Sequence, residues 1–600
     1  GGTAPLTGDC DDGLASVSPM ASEVWYDGVD ADCDGANDFD QDGDGYVLVG
    51  QAAQAGGTAL LTDDCDDLDP LTHPDAADTS GEDRDCDGVA APIDADGDGV
   101  AAADDCDDLD PSVFKGGAVE PLVEVTPGDP LADWVEAACD GTVFVVDGTH
   151  TVDRRIAVTR PLTLSGTGTI EAAGVHGVLD LAAAATVEGL ALEGGTAVDG
   201  GCLVVSTTEP VTLTDLVFAD CIATGRGGGL FLDAGAQVTA SGLLFDQNTA
   251  DEGGALATVE PSASTSLSEL VSVGNAARLG GMLHASGGAL TVHDSRFVAD
   301  EASEDGGALH VTSTSLSVSG VTIIDASTGA GAGGLFLDDT TGTLDDVELL
   351  GVTGDFVFGV DSSVAHITGG TGTLSLDHWL VQGTSAGRAL DLVDVTGTVT
   401  VHDLELSFHE GFYGIFAETP SFLDSTLTFD NVWVHHMEGG VYTCQGVHLY
   451  PIFSSGDWAL RNATISDTTC ERGTWLVPWY TDDDMVVRNV VTGSSVQFGQ
   501  AAGVAWSDPA GRLDISHTYS VHSQPWLDAF TYTSGLPSGC STCTIEAGSP
   551  FAAAAPSYAV PIADSSPLKG AGDPALCVGS SEPDCMDPGF WGGPNPPQPR

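Results

Sequence analysis

The chain has 600 residues and a formal net charge of −76, from 91 acidic and only 15 basic side chains. That balance excludes a duplex nucleic-acid partner, which needs basic patches, and disfavours anionic membrane surfaces; divalent cations are the natural counterions. No run reaches 18 uninterrupted apolar residues, so no helical membrane span is expected.

The acid is unevenly placed. Residues 1–110 hold 31 of the acidic side chains and a single basic one, Arg84. Residues 9–46 read Asp-Cys-Asp-Asp, then Asp-Gly-Val-Asp-Ala-Asp-Cys-Asp-Gly, then Asp-Phe-Asp-Gln-Asp-Gly-Asp-Gly-Tyr. Residues 63–99 repeat this, and 104–111 begin a third copy. Ca²⁺ takes six to eight hard oxygens, and Asp at positions one, three and five of a loop with Gly at six places carboxylates around one ion. Asp40, Asp42 and Asp44 with Gly45 fit, as do Asp94, Asp96 and Asp98 with Gly99. The twelfth position is Asp105 for the second loop but Gln51 for the first, which must close with Asp38 or an acid of the following module.

The candidate ligands for several Ca²⁺ ions are therefore Asp30, Asp32, Asp34, Asp38, Asp40, Asp42 and Asp44 in the first copy. In the second they are Asp64, Asp66, Asp67, Asp69, Asp83, Asp85 and Asp87. Asp94, Asp96, Asp98, Asp105, Asp107, Asp108 and Asp110 complete the set. Few apolar residues are available here, so a fold over 1–115 requires ions and disulfides. The pattern resembles the cysteine-and-aspartate metal-binding repeats of myxobacterial surface proteins and the thrombospondin type 3 calcium repeats. The resemblance implies metal binding at an outer surface, with copper as an alternative ion.

The 14 cysteines fall into neighbouring pairs: Cys10 with Cys33, Cys65 with Cys86, Cys202 with Cys221, Cys444 with Cys470, Cys540 with Cys543 and Cys577 with Cys585. Cys106 and Cys139 are left to each other. Disulfides in an exported protein are expected. Zinc is not, because Cys540 and Cys543 stand without a second such pair.

After a linker at 116–128, Asp129 and Pro130 open a short helix with an apolar stripe at Leu131, Trp134, Val135 and Ala138, ended by Gly141. Next comes a repeat. Gly-Gly pairs begin at Gly200, Gly228, Gly253, Gly280, Gly306 and Gly333, in steps of 28, 25, 27, 26 and 27 residues. Each leads into a short apolar strand, and upstream of each lies an alternating strand that ends on Asp, Asn or Gly, as in Val211–Asp215 and Leu290–Asp294. A fixed period of this length means one supersecondary unit stacked on copies of itself.

Phe245-Asp-Gln-Asn248 followed by Gly253-Gly-Ala-Leu256 is similar to the FxxN and GGAL repeats of polymorphic outer-membrane proteins. The solenoid as a whole resembles pectin-lyase-like domains, whose opening helix the segment 129–141 matches. The fold class expected is all-β: a right-handed parallel β-helix over 129–540 with an N-terminal capping helix, preceded by small loop-rich disulfide modules. A closing segment and Pro-rich tail occupy 541–600.

Some β-helices cleave polysaccharides, so catalysis needs weighing. Arg226, Asp251, Arg278 and Glu304 share one column and read as a cross-coil ion ladder rather than as catalytic groups. Asp482, Asp483 and Asp484 are adjacent and cannot all face one cleft. His402, His409, His435, His436 and His448 read as solvated corner residues. Aromatic residues crowd 408–480, among them Phe412, Tyr413, Trp433, Tyr442, Tyr450, Trp475, Trp479 and Tyr480. They mark a sugar- or protein-binding face, or else fill a wider coil. The expected role is a secreted or outer-surface calcium-binding structural or adhesive protein without catalysis. Its expected partners are calcium, copies of itself in an oligomer or filament, and a surface glycan or protein. The alternative is a carbohydrate-active enzyme with its site at 400–480.

Overall fold

A computed structural model describes residues 8–48 and 61–90 except 12 and 80, residue 95, and 122–466 except 355–361, 371, 420–423, 439–443 and 452–455. Beyond 466 it describes strands between residues 472 and 546. The chain divides into two compact units, one made of 1–121 with 137–142 and the other of 122–136 with 143–600.

The second unit is a parallel β-solenoid. One face is a 15-stranded parallel sheet to which successive coils contribute one strand each. Its register keeps Leu203, Leu230, Leu256, Leu283, Leu309 and Leu335 in one column. All are essentially inaccessible to solvent, as expected where the stacked coils share a continuous core. A second, 24-stranded sheet carries the alternating strands. From Ala289–Val298 to Met485–Thr492 each coil spans this sheet with a single long strand, as in Ser315–Ile324 and Thr341–Leu350.

The corners explain the sequence punctuation. Asp215, Gly242, Glu269, Asp294, Gly320, Asp346, His378, Asp403, Asn431 and Asn462 stack coil upon coil, and every one has φ between 50° and 68°. A single left-handed residue turns the strand, and Asp, Asn and Gly reach that region at least cost. A second left-handed column runs through Asp220, Gln247, Gly274, Ala299, Asp325, Gly351, Gly383, Phe408 and His436. Just after it the chain turns inward. Here Asn248, Asn275 and Asp300 form a buried ladder. The Asn248 amide donates to Asn275 Oδ1 at 2.9 Å and to the Phe218 carbonyl at 3.0 Å. The Asn275 amide donates to Asp300 Oδ1 at 2.9 Å, and Ser272 donates to Asp300 Oδ2. Burial raises the Asp300 carboxyl to about 6.

The solenoid opens with strand Leu122–Val125, which pairs in parallel with Thr142–Val146. This strand lies inside the span read as a linker, and its alternation buries Val123 and Val125. The helix is shorter than the apolar stripe suggested, Leu131–Glu136, with Leu131, Ala132 and Val135 buried. Arg154 pairs with its Asp133 at 2.6 Å and its Glu136 at 2.9 Å.

Two expectations are corrected. The ion ladder holds from Asp251 through Arg278 to Glu304, but its first rung differs. Arg226 reaches back to Asp199 at 3.0 Å and lies over the Phe231 ring, while Arg278 holds Asp251 at 3.0 Å, Glu252 at 3.3 Å and Glu304 at 2.9 Å. The guanidinium side chains span one coil rise: Arg226 takes an acid of the preceding coil, and Arg278 takes acids of both the preceding and the following coil. Nor are the histidines generally solvated: His409, His435 and His448 are buried. His284, His310, Phe336 and His366 also stack in register, with ring centroids 5.0, 4.7 and 5.3 Å apart, because equivalent positions on successive parallel strands face each other.

Candidate metal centre

The first unit has little to hold it together besides covalent links and polar turns. Its buried apolar side chains among the described residues are Val17, Ala31, Phe39, Tyr46 and Val47, with Ala137, Ala138 and Cys139 from 137–142. Disulfides join Cys10 to Cys33 and Cys65 to Cys86, and a two-stranded parallel sheet pairs Tyr46–Leu48 with Leu61–Asp64. In the solenoid Cys202 is bonded to Cys221. Cys139 and Cys444 are disulfide-bonded as well. Cys106, Cys470, Cys540, Cys543, Cys577 and Cys585 lie outside the described residues.

Three acidic loops share one local geometry. In each, the first Asp accepts the amide of the Gly five residues on: Asp30 from Gly35, Asp40 from Gly45 and Asp83 from Gly88, each at 3.1 Å. The third loop position accepts the amide two residues further, at 3.2 Å for Asp32, 3.2 Å for Asp42 and 3.1 Å for Asp85. The fifth does the same, at 2.7 Å for Asp34, 2.8 Å for Asp44 and 2.7 Å for Asp87. Gly35, Gly45 and Gly88 have φ of 78°, 100° and 90°, so the reversal that gathers the carboxylates needs glycine. Each Asp spends an oxygen on a local amide, and all but Asp34 and Asp87 also join an acidic group.

Carboxylate oxygens lie mutually within 4.8 Å in four all-acid groups: Glu23–Asp30–Asp32, Asp40–Asp42–Asp67, Asp42–Asp44–Asp64 and Asp78–Asp83–Asp85. Asp64 and Asp67 are 0 % and 3 % exposed. Asp38 Oδ1, Asp42 Oδ2, Asp44 Oδ2, Asp64 Oδ2 and Asp83 Oδ1 are buried without a hydrogen-bond partner. Burial, reinforced by the neighbouring carboxylates, pushes Asp42 up to about 6 and raises Asp64 and Asp67. Anionic oxygens left unpaired out of water are costly unless a cation meets them. Arg84, the one basic residue of 1–110, is engaged by Glu82 at 2.7 Å.

Glu23 and Asp78 are ligand candidates absent from the sequence expectation. Glu23 accepts the amides of Ala31 and Asp32 at 3.0 and 3.2 Å. Asp78 accepts those of Arg84 and Asp85 at 2.7 and 3.0 Å. They play matching parts in the two copies, and aligning the copies on their cysteines would have found them. Asp38 is placed apart from these groups, where its Oδ2 accepts the Gly28 amide at 2.5 Å. Asp66 and Asp69 cap the turns that follow Cys65, accepting the amides of Leu68 and Leu71. Asp34 and Asp87 shape their loops without joining a four-group cluster. Asp94, Asp96, Asp98, Asp105, Asp107, Asp108 and Asp110 lie outside the described residues.

A fifth group joins Asp64 to Cys65 and Cys86, but both sulfurs are consumed in one disulfide and offer no thiolate. In the 408–480 region Trp433 and Trp458 are buried in the solenoid core and unavailable to a sugar. Tyr442, Trp479, Tyr480 and Asp482–Asp484 lie outside the described residues. No described helix is long and apolar enough to cross a membrane.

The chain matches the Cu-binding MopE family, described as "Putative metal-binding motif", over residues 9–38, 64–92 and 105–119. Those segments contain both described disulfide modules and exclude the solenoid. No curated protein matches the chain. The acidic modules thus carry a metal-binding motif and present oxygen clusters suited to metal ions, ahead of a disulfide-containing parallel β-solenoid.

Proposed function

We propose that the acidic modules bind several Ca²⁺ ions and that the chain is a secreted or cell-surface protein with a structural or adhesive role. The observation that carries this reading is that Asp42, Asp44, Asp64 and Asp83, each with a buried carboxylate oxygen lacking a hydrogen-bond partner, belong to acidic groups whose oxygens approach within 4.8 Å of each other. Carboxylate oxygens alone suit a hard cation that accepts many oxygens at loose geometry. Copper prefers imidazole or thiolate, and none of the four all-acid groups contains either. When bound, the ion supplies positive charge and crosslinks. The protein side supplies Asp40, Asp42, Asp44, Asp64 and Asp67 at one locus, Glu23, Asp30 and Asp32 at a second, and Asp78, Asp83 and Asp85 at a third.

Three disulfides with both partners described support an oxidising compartment. A long stacked solenoid offers repeated surfaces for self-association or for a surface glycan or protein. Isothermal titration of the purified chain with Ca²⁺, Mg²⁺ and Cu²⁺ separately tests the ion. Binding of Ca²⁺ well ahead of Mg²⁺ and Cu²⁺ is expected. Preference for Cu²⁺, or no heat with any ion, would overturn the assignment.

A further inference from the structure

The four acidic groups are not equivalent. Glu23–Asp30–Asp32 and Asp78–Asp83–Asp85 are each built within one module and each stand alone. Asp40–Asp42–Asp67 and Asp42–Asp44–Asp64 overlap, with Asp42 common to both. The middle loop is also closed differently. Where the outer loops are closed by an upstream acid of their own module, Asp40–Gly45 meets Asp64 and Asp67, which flank Cys65 of the next module. We propose that this junction holds a pair of divalent cations bridged by Asp42, one gathered by Asp40 and Asp67 and the other by Asp44 and Asp64. The proposal rests on the metal-binding reading above.

Charge supports two ions rather than one. The five carboxylates carry five formal negative charges; a single divalent ion would leave three uncompensated, and two leave one. Asp64 and Asp67 are inaccessible to solvent, so on their side water screens the excess poorly. Nor is a Lys or Arg free to do so among the described residues of 1–110, where Arg84 is committed to Glu82. The oxygens are distributed to suit. Asp42 Oδ2, Asp44 Oδ2 and Asp64 Oδ2 are all buried and partnerless. Asp64 ends strand Leu61–Asp64, where a register shift after Val47 sets it opposite Leu48. Asp67 is held by two groups of the first module, the Tyr26 hydroxyl, which donates to its Oδ2, and the Gln41 amide, which donates to its Oδ1 at 3.2 Å. Tyr46 adds a cross-module link, donating to Asp75 and stacking on His73 at 4.8 Å. A metal pair here ties the first module to the second, so its occupancy controls whether the two behave as one body.

The test counts ions on the full chain by native mass spectrometry in Ca²⁺, for the natural sequence and for Asp42→Asn, Asp64→Asn, Asp67→Asn and Asp32→Asn. Asp42→Asn is expected to lose two ions and each of the other three variants one. Loss of a single ion from Asp42→Asn, with Asp32→Asn still losing one, would overturn the pair while leaving calcium binding intact. No bound ions on the natural sequence would instead overturn the metal-binding reading itself. Should Asp42→Asn fail to fold, anomalous diffraction from crystals of the natural protein grown in Ca²⁺ decides the matter. Two peaks about 4 Å apart beside Asp42 are expected, and one peak overturns the proposal.

Discussion

The strongest residue-scale consequences come from titratable groups taken out of water. His284 and His310 stack on each other with their Nδ1 atoms 3.1 Å apart. Burial, helped for both by the Arg278 charge and for His310 by its histidine neighbour, lowers them to about 4 and about 3. Their folded values lie below the ordinary histidine value, so the unfolded chain binds more protons through this window. The stability they contribute is present above about pH 6.5 and is lost as pH falls toward 4 and then 3. The difference in melting temperature between the natural chain and His310→Gln should therefore shrink on acidification from pH 7 to about 4.5; an unchanged difference would contradict the assignment. Asp300 runs the opposite way. Its raised value favours the fold at low pH, and that contribution disappears as pH rises through about 6. Asp300→Asn completes the amide ladder without a buried charge. It should stabilise the solenoid at pH 7 by about 2–3 kcal/mol and change little at pH 4, as read by chemical denaturation at both pH values. Neither group was legible from the residues alone. His284 and His310 are 26 residues apart, one period, but a stacked pair is visible only once the register is known. Asp300 stands where two earlier coils have Asn, and only that column marks it.

At the scale of the element, the Gly-Gly pairs announced the period because the packing admits nothing larger. A Cβ on Gly254 would stand 2.3 Å from the Gly281 carbonyl oxygen and 2.7 Å from that of Ala276. Both are backbone atoms of the adjacent coil and cannot swing aside. Gly254→Ala should destabilise the solenoid by at least about 2 kcal/mol, measured by the denaturation midpoint. Near-neutrality would mean that the coils slide apart more easily than their backbone contacts suggest. The first left-handed corner column was legible too, because Asp, Asn and Gly recur there. The second was not: Ala299 and Phe408 carry no turn chemistry, and stacking on neighbouring coils imposes their conformation. The capping helix was overextended because its apolar stripe continues as buried Ala137 and Ala138 after the helix has ended.

For the molecule as a whole, stability rests on two different foundations. The solenoid buries long columns of Leu, Val, Ile and Phe. Among the described residues of 8–90, by contrast, only five apolar side chains are buried. The disulfides that close separations of 23 and 21 residues supply about 3 kcal/mol each. That is too little to set the conformation of loops whose inward groups are like-charged carboxylates; on the proposed reading, cations complete the fold. The Asp-rich loops marked these modules in the sequence as candidate metal ligands. Which acids close each loop depends on long-range placement, and Glu23 and Asp78 escaped notice because they stand outside the Asp-x-Asp-x-Asp-Gly pattern.

The central claim is that metal completes the acidic modules, and thermal unfolding of the purified chain in Ca²⁺ and in excess chelator tests it most directly. A transition assigned to the acidic modules should fall sharply or vanish in chelator, while the solenoid transition stays where it is. Superimposable scans in the two conditions would contradict the account.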